Sequence, residues 1–274
     1  MKRYLSISLL FWGCIAGVFA ANVDTVCTYS GAMQKEIKAV VVTPRDYSLD
    51  KKYPVFYLLH GYSGNYASWG GTDVVRQIAD TYNMLVVCPD GAYGSWYLDS
   101  PMDSTFKYET YIAKELIQWM DAHYKTIASR QGRAISGLSM GGHGALYLAF
   151  RHQDIFGACG SMSGGVDIRP FPNNWDLAKR LGAQRDFPER WEQYTVIGLL
   201  HLLIPNSLKI IIDCGTEDFF FEVNEKLHRE LCYRNIPHDY ISRPGAHNWE
   251  YWKNAVMYQA LFFSEFFRTN NAVK

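Results

Sequence analysis

A serine set between glycines, Gly137-Leu138-Ser139-Met140-Gly141, is the stretch of this chain best suited to covalent chemistry. A G-x-S-x-G run makes a sharp strand-to-helix turn that lifts the hydroxyl clear of the backbone. Side chains two residues either side of the serine would collide, so glycine is needed there. Arg133-Ala134-Ile135-Ser136 reads as the short buried strand entering the turn, and Gly142 to His152 as the helix leaving it. A serine hydroxyl is a weak nucleophile alone. It needs a base, an acid that orients the base, and donors for the oxyanion that develops during attack.

Those parts follow in the order serine, acid, histidine. Leu208 to Asp213 reads as a strand, so Cys214-Gly215-Thr216-Glu217-Asp218 is the loop leaving its carboxyl end. Asp218 is the expected acid, Glu217 its main rival, and Asp213 sits inside the strand in a structural position. His247 lies in Pro244-Gly245-Ala246-His247-Asn248-Trp249, after the last expected strand and before the last helix, where the base belongs. His228 lies on a helix beside Leu227 and Leu231 and reads as packing or surface, while His238 begins a strand. For the oxyanion, one donor is the N–H of Met140. The other is expected from His60-Gly61-Tyr62-Ser63-Gly64, through the N–H of Tyr62, with His60 bracing the loop.

The elements that must position these residues alternate β and α. Strands are expected at Ile37 to Thr43, Pro54 to Leu59, Met84 to Cys88, Ala158 to Ser161, Leu208 to Cys214 and Asp239 to Ser242. Helices are expected at Thr72 to Asn83, Thr105 to Tyr124, Glu222 to Arg234, and from Asn248 or Trp249 onward. Buried apolar strands alternating with amphipathic helices imply an α/β fold, a mostly parallel sheet covered on both faces. Gly164 to Asn206 breaks the rhythm with four prolines and two tryptophans, and reads as a lid-like insertion over the site. Residues 21–274 are thus expected to form one catalytic domain with an insertion at about 164–206.

The chain has 274 residues, with 27 basic against 27 acidic ones, so neither its length nor its charge suggests a nucleic-acid partner. Lys2 and Arg3, the apolar run Leu5 to Phe19 and the small-x-small site Val18-Phe19-Ala20 predict a signal peptide over residues 1–20. The mature chain is then expected to be exported, periplasmic or secreted, with no transmembrane segment. Phe11-Trp12-Gly13 is a poor approach to a lipidated cysteine, which disfavours anchoring through Cys14. Cys88, Cys159 and Cys214 end apolar runs and read as buried thiols; with Cys27 and Cys232 the count is odd, and no disulfide is predicted. No His/Cys spacing suggests a metal, so neither metal nor cofactor is expected. Nothing bears on oligomeric state.

At this point the chain resembles the esterase D superfamily of α/β-hydrolases. That group includes S-formylglutathione hydrolases, feruloyl, acetyl xylan and tributyrin esterases, and mycolyltransferases. The matching stretches are Tyr57-Leu58-Leu59-His60-Gly61-Tyr62-Ser63-Gly64, Pro89-Asp90-Gly91, Ser95-Trp96-Tyr97-Leu98-Asp99-Ser100-Pro101 and Gly137-Leu138-Ser139-Met140-Gly141-Gly142. Cys214-Gly215-Thr216-Glu217-Asp218-Phe219 and His247-Asn248-Trp249-Glu250-Tyr251-Trp252 complete the set. The resemblance implies an α/β-hydrolase fold with Ser139, Asp218 and His247 as catalytic triad. It also implies that the Ser95 to Pro101 loop borders the acyl pocket. That makes Trp96 and Tyr97 candidates for substrate contact, with bracing of the floor as the competing role for Trp96 and Asp99. Trp249, in the histidine stretch, is a third candidate. The implied activity is that of a serine carboxylesterase acting on a small or oligosaccharide ester, with acetyl or feruloyl esters on carbohydrate favoured by export and aromatic content. Acyl transfer of the mycolyltransferase type and S-formylglutathione hydrolysis are the alternatives.

Overall fold

The computed structural model describes residues 21–270, so the expected signal peptide lies outside the described residues. Eight strands form one sheet: β1 (Asn22–Ser30), β2 (Lys35–Thr43), β3 (Val55–Leu59), β4 (Leu85–Pro89), β5 (Arg133–Gly137), β6 (Ala158–Met162), β7 (Lys209–Gly215) and β8 (Asp239–Arg243). Their spatial order is β1-β2-β4-β3-β5-β6-β7-β8. The pairs β1–β2 and β2–β4 are antiparallel, and all pairs from β4 to β8 are parallel. The chain therefore has the α/β-hydrolase fold expected of it.

The helices are α1 (Ala67–Gly70), α2 (Asp73–Tyr82), α3 (Tyr108–Thr110), α4 (Leu116–His123), α5 (Met140–Arg151), α6 (Leu177–Leu181), α7 (Pro188–Gln193), α8 (Phe221–Tyr233) and α9 (Trp249–Thr269). The central strands are buried along their whole length because helices cover both faces. Alternation sorts their side chains into two cores. Tyr57, Leu59, Ile135 and Ile212 pack with α4, α5 and α8, whereas Phe56, Leu58, Ala134 and Ile211 pack with α2 and α9. Phe56 meets Phe263 of α9 edge-on, with ring centroids 5.0 Å apart.

Two elements differ from the sequence expectation. β1 has no apolar alternation, because it is an edge strand and most of its residues face solvent; it is held by its hairpin register with β2. The long helix expected from Thr105 starts at Tyr108, because residues 98–107 instead form a turn in which Ser100 N–H donates to the Phe106 carbonyl at 2.8 Å. Between α3 and α4 the same helix widens into a π-turn at Tyr111–Glu115. Both ends of that turn reach the β1–β2 hairpin. Tyr111 hydroxyl pairs with Thr28 at 2.7 Å, and Glu115 accepts from Ser30 Oγ at 2.6 Å. Cys27, Cys88, Cys159, Cys214 and Cys232 are all free thiols. No described helix is long and apolar enough to cross a membrane.

Residues 164–206 carry α6, α7 and a 3-10 turn (Ile197–Leu202), and pack Leu177, Leu181, Trp191 and Val196 into the larger core. Polar ties fasten them to the loop before α3. Ser100 Oγ donates to the Arg180 carbonyl at 2.7 Å, and Arg180 pairs with Asp103 at 3.1 Å. These contacts fix the segment against the larger core and the loop before α3. The Phe56 contact makes a direct test of the second core. Phe56→Ala should lower the stability to urea unfolding by about 3–5 kcal/mol. A change below about 1 kcal/mol would mean that α9 does not depend on this contact.

Candidate active site

Ser139 sits between β5 and α5 with φ +54° and ψ −117°, a conformation that a side chain enters only under constraint. The constraint is visible in its neighbours. A Cβ on Gly141 would lie 2.5 Å from the Leu59 carbonyl oxygen, and one on Gly137 would lie 2.6 Å from the Gly141 carbonyl. Glycine at both positions lets the elbow press against the end of β3. Ser139 N–H donates to the Met162 carbonyl at 2.9 Å, which anchors the turn to β6 as well.

His247 approaches the serine from the loop between β8 and α9. Its Nε2 is 3.0 Å from Ser139 Oγ, and its Nδ1 lies 2.8 and 3.0 Å from the two carboxylate oxygens of Asp218. Asp218 is 95% buried and also accepts the Phe220 N–H at 2.8 Å, so its orientation is set. Glu217 is exposed and turns into a separate surface hollow with Arg243 and Asn254, which removes it as a partner for His247. Asp213 is fully buried. It accepts from Tyr251 hydroxyl at 2.5 Å and from Arg243 at 2.9 Å, a structural position as expected.

The loop after β3 lies against the serine, since a Cβ on Gly61 would be 3.3 Å from Ser139 Cβ. Among the described residues no carbonyl takes the N–H of Tyr62 or of Met140, so both are free to donate. His60 braces this loop. Its Nδ1–H donates to the Gly61 carbonyl at 2.8 Å, and its Nε2 accepts the Gly91 N–H at 2.7 Å. Both contacts require one neutral tautomer.

Ser139 and His247 open into a cleft of about 390 Å³ walled by Tyr62, Trp175, Phe219, Trp249 and Trp252. Phe219 lies 4.2 Å from the His247 ring and stacks on Trp175 at 5.7 Å. Trp249 is one of the three residues expected to touch substrate, and it does line this cleft. Trp96 and Tyr97 do not. Both are at most 1% exposed and sit beneath the site. Trp96 Nε1 donates to the Trp175 carbonyl at 3.0 Å, and Tyr97 hydroxyl donates to the His60 carbonyl at 3.0 Å. Each has positive φ, which turns the chain so that these rings point into the core rather than at the cleft. The bracing role is the one their surroundings support. Sequence reasoning assigned no role to Trp175 or Phe219. Phe219 directly follows Asp218, which was a usable signal, but Trp175 lies in the segment with no readable periodicity.

Residues 30–263 match the profile of the family described as "Putative esterase". An acetyl esterase of Caldicellulosiruptor saccharolyticus is 27% identical over 258 residues, taking in 83% of this chain and 92% of that protein. An esterase of Mycobacterium tuberculosis is 34% identical over 243 residues, covering 76% of this chain and 51% of that longer protein. A solved ferulic acid esterase structure superposes with a TM-score of 0.79 at 28% identity, covering 91% of this chain and 99% of that one.

His143, four residues after Ser139 and one turn into α5, ties that helix to its surroundings. It is fully buried, with Nε2 2.9 Å from the Tyr194 carbonyl and Nδ1 3.3 Å from the Trp96 carbonyl. Burial pushes its pKa down to about 4 from the ordinary value of 6.5. The unfolded chain therefore binds this proton first as pH falls, and the stability it confers is lost between about pH 6.5 and 4. The stability advantage of the wild type over His143→Gln should shrink by up to about 3 kcal/mol across that window, measured by urea unfolding at each pH. A difference that stays constant with pH would rule out a neutral buried imidazole.

Proposed function

The chain belongs to this esterase family, and on that premise we propose that Ser139, His247 and Asp218 are its catalytic triad in an exported enzyme cleaving acetyl or feruloyl esters on carbohydrate. The observation that carries the reading is the unbroken chain from Asp218 through His247 to Ser139 Oγ, opening on the aromatic cleft. Ester hydrolysis follows from it stepwise. Ser139 Oγ attacks the ester carbonyl carbon while His247 Nε2 takes the hydroxyl proton. Asp218 accepts the Nδ1–H and stabilises the imidazolium. The N–H groups of Tyr62 and Met140 hold the oxyanion, where loss of one donor commonly costs about 10²–10³ in rate. The alcohol leaves with the proton from His247. Water, deprotonated by His247, then attacks the acyl-enzyme and releases the acid.

The substrate reading rests on the cleft. Phe219, Trp175 and Trp249 offer apolar faces beside the nucleophile, suited to a planar aromatic acyl group, and Tyr62 hydroxyl donates to Asp176 at 3.2 Å on the polar side. The names of similar proteins, an acetyl esterase and a ferulic acid esterase, agree with the same two acyl groups. Residues 1–20 supply the export signal in this reading, and residues 164–206 act as the cap of a single catalytic domain.

Ser139→Ala should reduce kcat on p-nitrophenyl acetate and butyrate by at least about 10³-fold while the circular dichroism and melting temperature stay unchanged. Turnover at the wild-type rate would remove Ser139 from the mechanism. Phe219→Ala should raise KM for methyl ferulate by about 3–10-fold relative to its effect on an acetyl ester, given the worth of one aromatic stacking contact. Equal effects on both esters would mean that this wall does not read the acyl group.

A further inference from the structure

At the end of β8 away from His247 lies a second group of reactive side chains. His228 and Cys232 are four residues apart on α8 and share one face, and His238 stands in the loop entering β8. His228 Nδ1 and His238 Nε2 face each other at 2.8 Å, and the Cys232 sulfur is 3.8 Å from His228 Nδ1. His238 Nδ1–H donates to the Ile236 carbonyl at 2.8 Å, which leaves its Nε2 lone pair turned towards the group. The His228 ring stacks on Tyr240 with centroids 4.4 Å apart and planes 11° from parallel. A carbonyl holding the far nitrogen of an imidazole is the support that ligating histidines use.

We propose that His228, Cys232 and His238 form a binding site for one divalent cation of the zinc type, held by two imidazole nitrogens and one thiolate. The donor set selects the class, since nitrogen and sulfur suit zinc and its neighbours and do not suit magnesium or calcium. The spacing also fits. A tetrahedral ion with bonds of about 2.0–2.1 Å to nitrogen and 2.3 Å to sulfur needs its nitrogens roughly 3.3 Å apart and sulfur roughly 3.5 Å from nitrogen. Small side-chain rotations reach both values. On binding, the Cys232 thiol loses its proton to solvent, and the His228 proton passes from Nδ1 to Nε2. The ion then sits where the two rings had shared a hydrogen bond, and water takes the fourth position. Cys232 is exposed, so the ion can enter from solvent.

The site lies apart from the triad but joins two elements that flank its acid and histidine loops. α8 follows the Asp218 loop, β8 precedes the His247 loop, and β8 is the edge strand of the parallel half. An ion there fastens α8 to that edge. The test is to titrate the reduced, metal-free protein with Co²⁺ and Zn²⁺. A single thiolate-to-cobalt absorption band in the near ultraviolet is expected at one equivalent, and Zn²⁺ should displace it and raise Tm by about 5 °C. Cys232→Ala should lose the band, His238→Ala should weaken Zn²⁺ binding by at least about 10–100-fold, and Cys27→Ala, at the other exposed thiol, should change neither. Melting of the metal-free variants alongside the wild type checks that they fold. Absence of the band at about 1 mM Co²⁺, or its survival in Cys232→Ala, overturns the proposal.

Discussion

Between the ends of β3 and β5 there is no room for side chains, and the geometry of the site follows from that. The elbow backbone at Gly137 and Gly141 rests on the carbonyl oxygens of Leu59 and His60, closer than any Cβ would allow. The contact holds Ser139 in its strained conformation and sets the start of α5 beside the loop after β3. The same contact brings Gly61 against Ser139, so the loop that carries Tyr62 lies beside the serine, and the N–H groups of Tyr62 and Met140 have no carbonyl partner among the described residues. Backbone strain at the serine is thus sustained by packing on three strands, since β6 also accepts the Ser139 N–H.

The other half of the site depends on how the loops after β7 and β8 are joined. Thr216 N–H donates to the Arg243 carbonyl and Glu217 N–H to the Gly245 carbonyl, both at 2.9 Å, so the two loops run as one unit. Beneath them burial pushes the Asp213 carboxyl pKa up, opposed by the Tyr251 hydrogen bond and the Arg243 charge. Arg243 ends β8 just before the histidine loop, and Tyr251 lies in the first turn of α9. One buried carboxylate therefore sets the separation between the loops that carry Asp218 and His247. Removing a single partner would leave a buried charge unpaired.

The cleft wall is built from parts remote in sequence, and this is where legibility fell away. Phe219 and Trp249 flank the acid and the base, so adjacency alone brings them to the site. Trp175 arrives on residues 164–206, whose short helices have no sustained period and whose position is set by Arg180, Trp96 and the buried Trp191. Trp96 and Tyr97 show the opposite failure. They occupy a stretch with strong family likeness, yet positive φ at both turns their rings inward, and φ cannot be read from residue type when the residue is aromatic. β1 was silent for a third reason, because an edge strand held by hydrogen bonds needs no apolar alternation.

The sequence by itself determined the alternation of the central strands and helices, the elbow, and the candidates Ser139 and His247, with Asp218 ahead of Glu217 as the acid. These rest on local rules: apolar period, the steric need for glycine, and the position of a loop after a strand. Tertiary structure decided which carboxylate faces His247, which aromatics reach the cleft, and that His228, Cys232 and His238 meet. Each of those depends on the angle at which separate elements cross. That angle comes from packing the two core layers against the sheet, and no local pattern encodes it.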